Sequence, residues 1–330
     1  MKLIGFFNNK GGVGKTSLVY HLAWMMAETD IPVVAADFDP QANLTSMFLL
    51  EAELEQLWPD GRHPNTLLGV VEPIMRGLGD IAHPHVEHIA NRIGLIPGDL
   101  GLSTFEDKLS AAWPACLSRD EAAFRTTTAL FRAAALAAQE RGAEYVLVDV
   151  GPNLGAINRA AIISCDAIVI PLASDLFSLQ GLRNLGPQLH TWRSDWTERK
   201  QRNPDLDLPM PSGEIRPAGY VVMQHAIRQD RPAKSYLRWM QRIPGEYRQS
   251  VLRQSAESAP EVAQDPHCLA TLKHYRSLMP LAMEARKPIF LLKPSDGAIG
   301  AHVEAVRDCY GDFAALAGAI LKSVNRDPTI

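Results

Sequence analysis

Lys10-Gly11-Gly12-Val13-Gly14-Lys15-Thr16-Ser17 is the stretch that decides how this chain is read. In front of it, residues 2–8 (KLIGFFN) read as a short buried strand. Behind it, residues 15–29 read as a helix, with Leu18, Leu22, Met25 and Met26 at helical spacing. A glycine turn between strand and helix lets backbone N–H groups face phosphate oxygens, and the helix N-terminus adds positive potential. Gly11, Gly12, Val13, Gly14, Lys15, Thr16 and Ser17 are therefore the candidate phosphate cradle. Lys15 would neutralise β- and γ-phosphate charge, and the Thr16 hydroxyl would ligate Mg2+. A turn that only connected strand to helix would not need the Lys-Thr pair at the first helical positions.

Outward from the loop the pattern alternates. Residues 32–38 (PVVAADF) are a second strand, which makes a βαβ unit with a right-handed crossover and parallel strands. Further strands are expected at 93–96, 145–149 (YVLVD), 167–171, 218–223 and 287–292 (KPIFLL). Helices are expected at 121–141 (closed by Gly142), 157–165, 178–193 and about 300–323. Continuous apolar strands between helices imply an α/β fold, a mostly parallel twisted sheet with helices on both faces. Residues 51–91 and 199–216, rich in Pro, Gly and charge, interrupt the alternation as loops or added helices.

Composition is that of an ordinary globular chain, 46% hydrophobic and 21% charged. Cys116, Cys165, Cys268 and Cys309 are scattered and form no CxxC pair, which suits reduced thiols in the cytoplasm. There is no long apolar leader and no run of about 18 apolar residues, so neither secretion nor a membrane span is expected. The net charge of −4 hides an asymmetry: residues 181–293 hold 18 Lys+Arg against 11 Asp+Glu, enough to meet an anionic partner locally. His83, His85 and His88 cluster without a second ligand set and read as loop, not metal site. Trp192 and Trp196, four apart on a helix, read as packing.

The motif KGGVGKTS resembles the deviant Walker A loop of the ParA/MinD family, P-loop NTPases of the SIMIBI (MinD-like) type. Asp37-Phe38-Asp39-Pro40-Gln41-Ala42-Asn43 resembles the family's DxDPQxN segment, and the stretch from Asp149 to about 185 is similar along nearly its whole length. One departure stands out: the family often carries Pro-Pro two and three residues after the acid, where this chain has Gly151-Pro152. Glycine there would loosen the loop. The resemblance is strong over 1–50, 92–105, 144–190 and 285–323, and weak over 51–91 and 191–284, which read as family-divergent insertions within one P-loop ATPase domain spanning 1–330.

The resemblance implies an ATPase using ATP and Mg2+. It implies that Lys10 crosses a dimer interface to the partner's phosphates, that Asp39 orients the attacking water, and that Thr16, Asp37 and Asp149 hold the Mg2+ shell. It places Gln224 and Pro294 next to the adenine. It further implies an ATP-dependent homodimer, a ParB-like stimulating partner, and cytoplasmic residence with nucleoid association when ATP-bound.

Residues 228–253 are basic, and Lys234, Arg238 and Arg242 fall at i, i+4 and i+8, a single stripe on a helix bracketed by Pro232 and Pro244. Such a stripe could contact phosphates along a duplex without reading bases, as ParA-like proteins hold nucleoid DNA. The alternative is a family ATPase acting on a membrane or another protein system without DNA. The last helix lacks the basic amphipathic character of a membrane anchor. An iron–sulfur reductase of the same class would need paired cluster cysteines, which this spacing does not offer. With the first strand starting at residue 2, no operator-binding arm is expected.

Overall fold

A computed structural model describes residues 1–223, 238–257, 259–275 and 277–326. Eight strands form one sheet: β1 (Lys2–Phe6), β2 (Val33–Asp37), β3 (Glu87–Ala90), β4 (Ile93–Ile96), β5 (Tyr145–Asp149), β6 (Ala167–Ala173), β7 (Arg216–Met223) and β8 (Cys268–Leu272). Their order across the sheet is β3-β4-β2-β5-β1-β6-β7-β8, with every neighbour parallel except the edge pair β3/β4. The expectation of a mostly parallel sheet is met.

The strands are apolar on both sides, as a sheet covered on both faces demands. Along each central strand alternate residues serve two separate cores. Leu3, Val34, Val146 and Ile168 belong to one. Ile4, Val33, Leu147 and Val169 belong to the other. The first core lies under α5 (Phe105–Ala115), α7 (Ala129–Arg141), α8 (Ala156–Ser164) and α9 (Leu176–Lys200). The second is covered by α1 (Lys15–Glu28) and the last helix, Ala301–Val324. Trp192 and Trp196 are buried, and Trp196 stacks on Trp113, so both pack the core.

Two expected elements differ. Residues 287–292 are not a strand: Ile289–Leu291 form a 3-10 turn. The Ile289 N–H is taken by Nε2 of His21 at 3.2 Å, so that backbone donor is spent on a side chain and not on a ladder. Ile289 and Phe290 are still buried, which is why the run reads like a strand. The edge strand on that side is instead β8, paired parallel to β7.

The helix expected over 121–141 is two, α6 (Glu121–Thr127) and α7, joined at Thr128. The hydroxyls of Thr126 and Thr128 bond back to the carbonyls of Ala122 and Phe124, a pattern that bends helices.

Residues 51–91 contribute α3 (Glu51–Leu57), α4 (Leu67–Met75) and β3. Asp80 ties that segment to the body through Arg125 and Arg132, at 2.7 and 2.6 Å. Of the basic stretch, residues 238–240 are helical, 241–242 turn, and α10 (Ile243–Glu246) follows. Among the described residues, no helix is long and apolar enough to cross a membrane, and no group of three His, Cys, Asp or Glu side chains could hold a metal ion.

Candidate nucleotide site

The sheet register assembles the site. Asp37 ends β2 and Asp149 ends β5, and the two are cross-strand partners; Phe6 at the end of β1 pairs with Asp149 from the other side. The chain leaves β1 into the glycine loop, so that loop lies over the same edge of the sheet as the two carboxylates. In open α/β sheets, ligands bind at this carboxyl edge.

The loop has the backbone for a cradle. Gly12 and Gly14 take φ values of 71° and 82°, in the left-handed region, and a Cβ on Gly14 would also come within 3.1 Å of Cε of Met223. No side chain caps α1 and no acid sits in its first turn, so its first N–H groups keep their positive potential. Lys15 is the first helical residue and is almost wholly buried. Burial lowers its pKa, while the charges of Asp149 and Asp39 work the other way.

The two strand-end carboxylates are fully buried. Oδ2 of Asp37 accepts from the Thr45 amide at 2.8 Å and the Thr45 hydroxyl at 2.7 Å, and that hydroxyl in turn accepts from the Gly98 amide. Oδ1 of Asp37 and both oxygens of Asp149 have no hydrogen-bond partner. Burial is the main cause that pushes both carboxyls well above their usual range. Asp37 is opposed by its Thr45 bonds, and Asp149 is pushed further by the Asp37 charge, while the nearby Thr16 hydroxyl, outside good hydrogen-bond geometry, and the Lys15 charge pull it back. Buried, unpartnered carboxylate oxygens of this kind call for a cation. Three such oxygens on neighbouring strand ends, with Thr16 near Asp149, fit the donor set of a hard divalent ion such as Mg2+.

Asp39 lies just past β2, only 6% exposed, in a turn where its Oδ1 accepts from the Gln41 amide at 3.0 Å. Ala42 in the same turn holds φ at 51°, a strained conformation for alanine. Lys10 is ion-paired with Asp175, the N-cap of α9, and its ammonium is 5.9 Å from the Phe177 ring centroid. Partial burial raises the Asp175 carboxyl, but the bonds from Lys10 and the Ser178 amide outweigh it and hold the acid below its usual range.

A cavity of about 150 Å³ opens on the other side of the glycine loop. Gly14, Met223, Leu272, Tyr275, Met279 and Ile289 are among its lining residues. Pro294 is exposed, starts a 3-10 turn, and does not line it. Gln224 directly follows Met223 but lies outside the described residues, as does Lys234. Leu272, Tyr275 and Met279 were missed at the sequence level; the strand signal of CLATL, once seen, would have pointed to the loop that follows it. Arg238 and Arg242 are exposed, each with its guanidinium 5.3 Å from the Trp239 ring centroid. Arg248, in the same basic run, is instead turned inward onto Asp265 at 2.8 Å.

An uncapped glycine-loop helix, an almost buried lysine and paired strand-end carboxylates at the carboxyl edge of a parallel sheet define a P-loop nucleotide-binding protein. Residues 1–202 match the AAA domain family AAA_31, and the chain belongs to it, within the ParA/MinD group of ATPases. Protein IncC of Escherichia coli is 30% identical over 185 residues, covering 56% of this chain and 44% of that protein. The chromosome partitioning protein ParA of Myxococcus xanthus is 26% identical over 186 residues, 56% of this chain and 56% of that protein. The matched stretch thus spans about half the length of these relatives. Among solved structures, protein DIP2308 of Corynebacterium diphtheriae has a TM-score of 0.72 at 24% identity, over 98% of this chain and 99% of that one. A Cyanothece McdA variant in complex with ATP has a TM-score of 0.61 at 16% identity, over 100% of this chain and 98% of that one. Both share the fold.

Proposed function

We propose that this chain is an ATP-driven switch of the ParA type. It binds ATP with Mg2+ and pairs as a homodimer around two nucleotides. While ATP-bound it holds DNA without reading sequence, so that it resides on the nucleoid within the cytoplasm. A ParB-like partner stimulates slow hydrolysis and releases it, and the cycle partitions or positions a plasmid, a chromosome region or a protein cargo.

The carrying observation is the pair Asp37 and Asp149, buried side by side with three unpartnered oxygens beside an uncapped helix N-terminus. One divalent cation and one polyphosphate satisfy both halves of that site together. Bound Mg2+ would neutralise charge on phosphate oxygens; Thr16, Asp37 and Asp149 would hold its shell.

Residues 11–17 donate backbone N–H groups to the phosphates, with Lys15 as the fixed counter-charge. Asp39, in its strained turn, orients the attacking water. Lys10 reaches the partner's phosphates in the dimer, which requires its ion pair with Asp175 to open. The base occupies the cavity between Met223, Leu272 and Tyr275. The ATP complex of McdA, similar in fold, supports ATP as the nucleotide.

The DNA role rests on the basic balance of 181–293 and on Arg238 and Arg242, two exposed cations that share Trp239. It is tested by binding to unrelated duplex DNA with ATP, with ADP and with neither, at two salt concentrations. Binding should require ATP and fall steeply with salt, and Arg238→Glu/Arg242→Glu should weaken it on any sequence. No binding in any state removes the DNA role and moves the cargo contact to a membrane or a protein.

A further inference from the structure

The loop after β5 carries Gly151 where the family often has proline, and a glycine alone would leave that loop slack. It is not slack here. Asn158, on the first turn of α8 and 1% exposed, donates its Nδ2 to the carbonyl of Gly151 at 2.9 Å, to the carbonyl of Asn153 at 2.8 Å and to Oδ1 of Asn153 at 2.9 Å. Three acceptors around one nitrogen fix which way this amide faces, since the flipped amide would set oxygen against oxygen. From α5, the Glu106 carboxylate accepts from the Ala156 and Ile157 amides, pinning the start of the same helix.

The clamp has an address. A Cβ on Gly151 would lie 3.1 Å from Oδ1 of Asp39 and 3.3 Å from both Nδ2 and Oδ1 of Asn158. The absence of that carbon leaves room for both side chains beside the loop. Oδ1 of Asn158 is meanwhile buried without a partner, a rare and costly state for an amide.

We propose that Asn158 is a positioning residue for ATP hydrolysis. It clamps Gly151 against Asp39 and so fixes the carboxylate that orients the attacking water, supplying the rigidity that proline gives elsewhere in the family. This rests on the ATPase reading above.

The experiment measures ATP affinity and steady-state phosphate release, both with MgCl2, for wild type, Asn158→Asp, Gly151→Ala and each change in an Asp39→Ala background. Asn158→Asp keeps the shape and removes the donors; Gly151→Ala adds the excluded carbon. Each single variant should keep ATP affinity within about 3-fold and lose about 10- to 100-fold in kcat, the scale expected of small misplacements at a reacting centre. Neither should lower turnover further once Asp39 is gone, because the effect passes through that carboxylate. Wild-type kcat in both single variants overturns the proposal. So does parallel loss of affinity and turnover, or full additivity with Asp39→Ala, which would make Asn158 a purely structural residue. Failure of the wild type to bind or hydrolyse ATP would instead remove the ATPase reading itself.

Discussion

The two ends of the nucleotide site are built by opposite means. The phosphate end comes from three short contiguous segments, 10–17, 37–45 and 149–158, each leaving a strand at the centre of the sheet. Its groups are backbone amides, one lysine and acids, and each does a job few residue types can do. The cavity proposed for the base is lined largely by apolar side chains from separate places, among them Met223, Leu272, Met279, Ile289 and Phe313. Any apolar residue of suitable size can line such a wall. A site is therefore sharply written where its chemistry is electrostatic, and faintly written where it only excludes water.

The largest effect expected is at the phosphate end. Lys15→Ala should abolish measurable ATP binding by calorimetry, because it removes the one cation held almost buried in the cradle. Retained affinity would sink the cradle reading. Next comes Asp39→Ala, which should keep ATP binding while turnover falls by roughly 100-fold or more in a phosphate-release assay.

At the base end the effect should be smaller and of another kind. Tyr275→Ala or Leu272→Ala should weaken ATP by about 10-fold through lost apolar contact, with no change in inhibition by free pyrophosphate. Equal loss for both ligands would erase the distinction between the ends.

How much of this was legible follows the same division. The central strands β1, β2, β5 and β6 announce themselves as unbroken apolar runs between helices, and the acids at their ends follow from the strand boundaries. Thr45, which occupies one oxygen of Asp37, was not legible, because a threonine eight residues on carries no sign of where the chain turns. The base side went astray at KPIFLL: burial fixed its composition, but His21 takes the backbone donor that a strand would need. Pro294, assigned to the adenine, lies exposed beyond that turn and does not line the cavity. The bonding of the Gly151 loop was unreadable as well, for its partners are Asn158, seven residues on, and Glu106, on another helix, which holds the start of α8.

The smallest expected effect is in pH dependence. Burial, and repulsion from neighbouring carboxylate charges, raise the Asp37 and Asp149 carboxyls well above their usual range. Between the unfolded values and these raised ones, the folded chain holds protons that the unfolded chain has released, so stability falls as pH rises across that window and levels off above it. Thermal unfolding of the nucleotide-free protein should therefore show a lower Tm at pH 8 than at pH 6, and Asp149→Asn should reduce that difference. An unchanged pH slope in the variant would place the raised carboxyl elsewhere.

Whether ATP switches the chain into a dimer can be measured directly. Light scattering on Asp39→Ala, with hydrolysis blocked, is run with ATP and Mg2+, with ADP and Mg2+, and with neither. A dimer of about twice 36.3 kDa is expected with ATP and a single chain otherwise. A single chain in all three conditions, with ATP demonstrably bound, would contradict it.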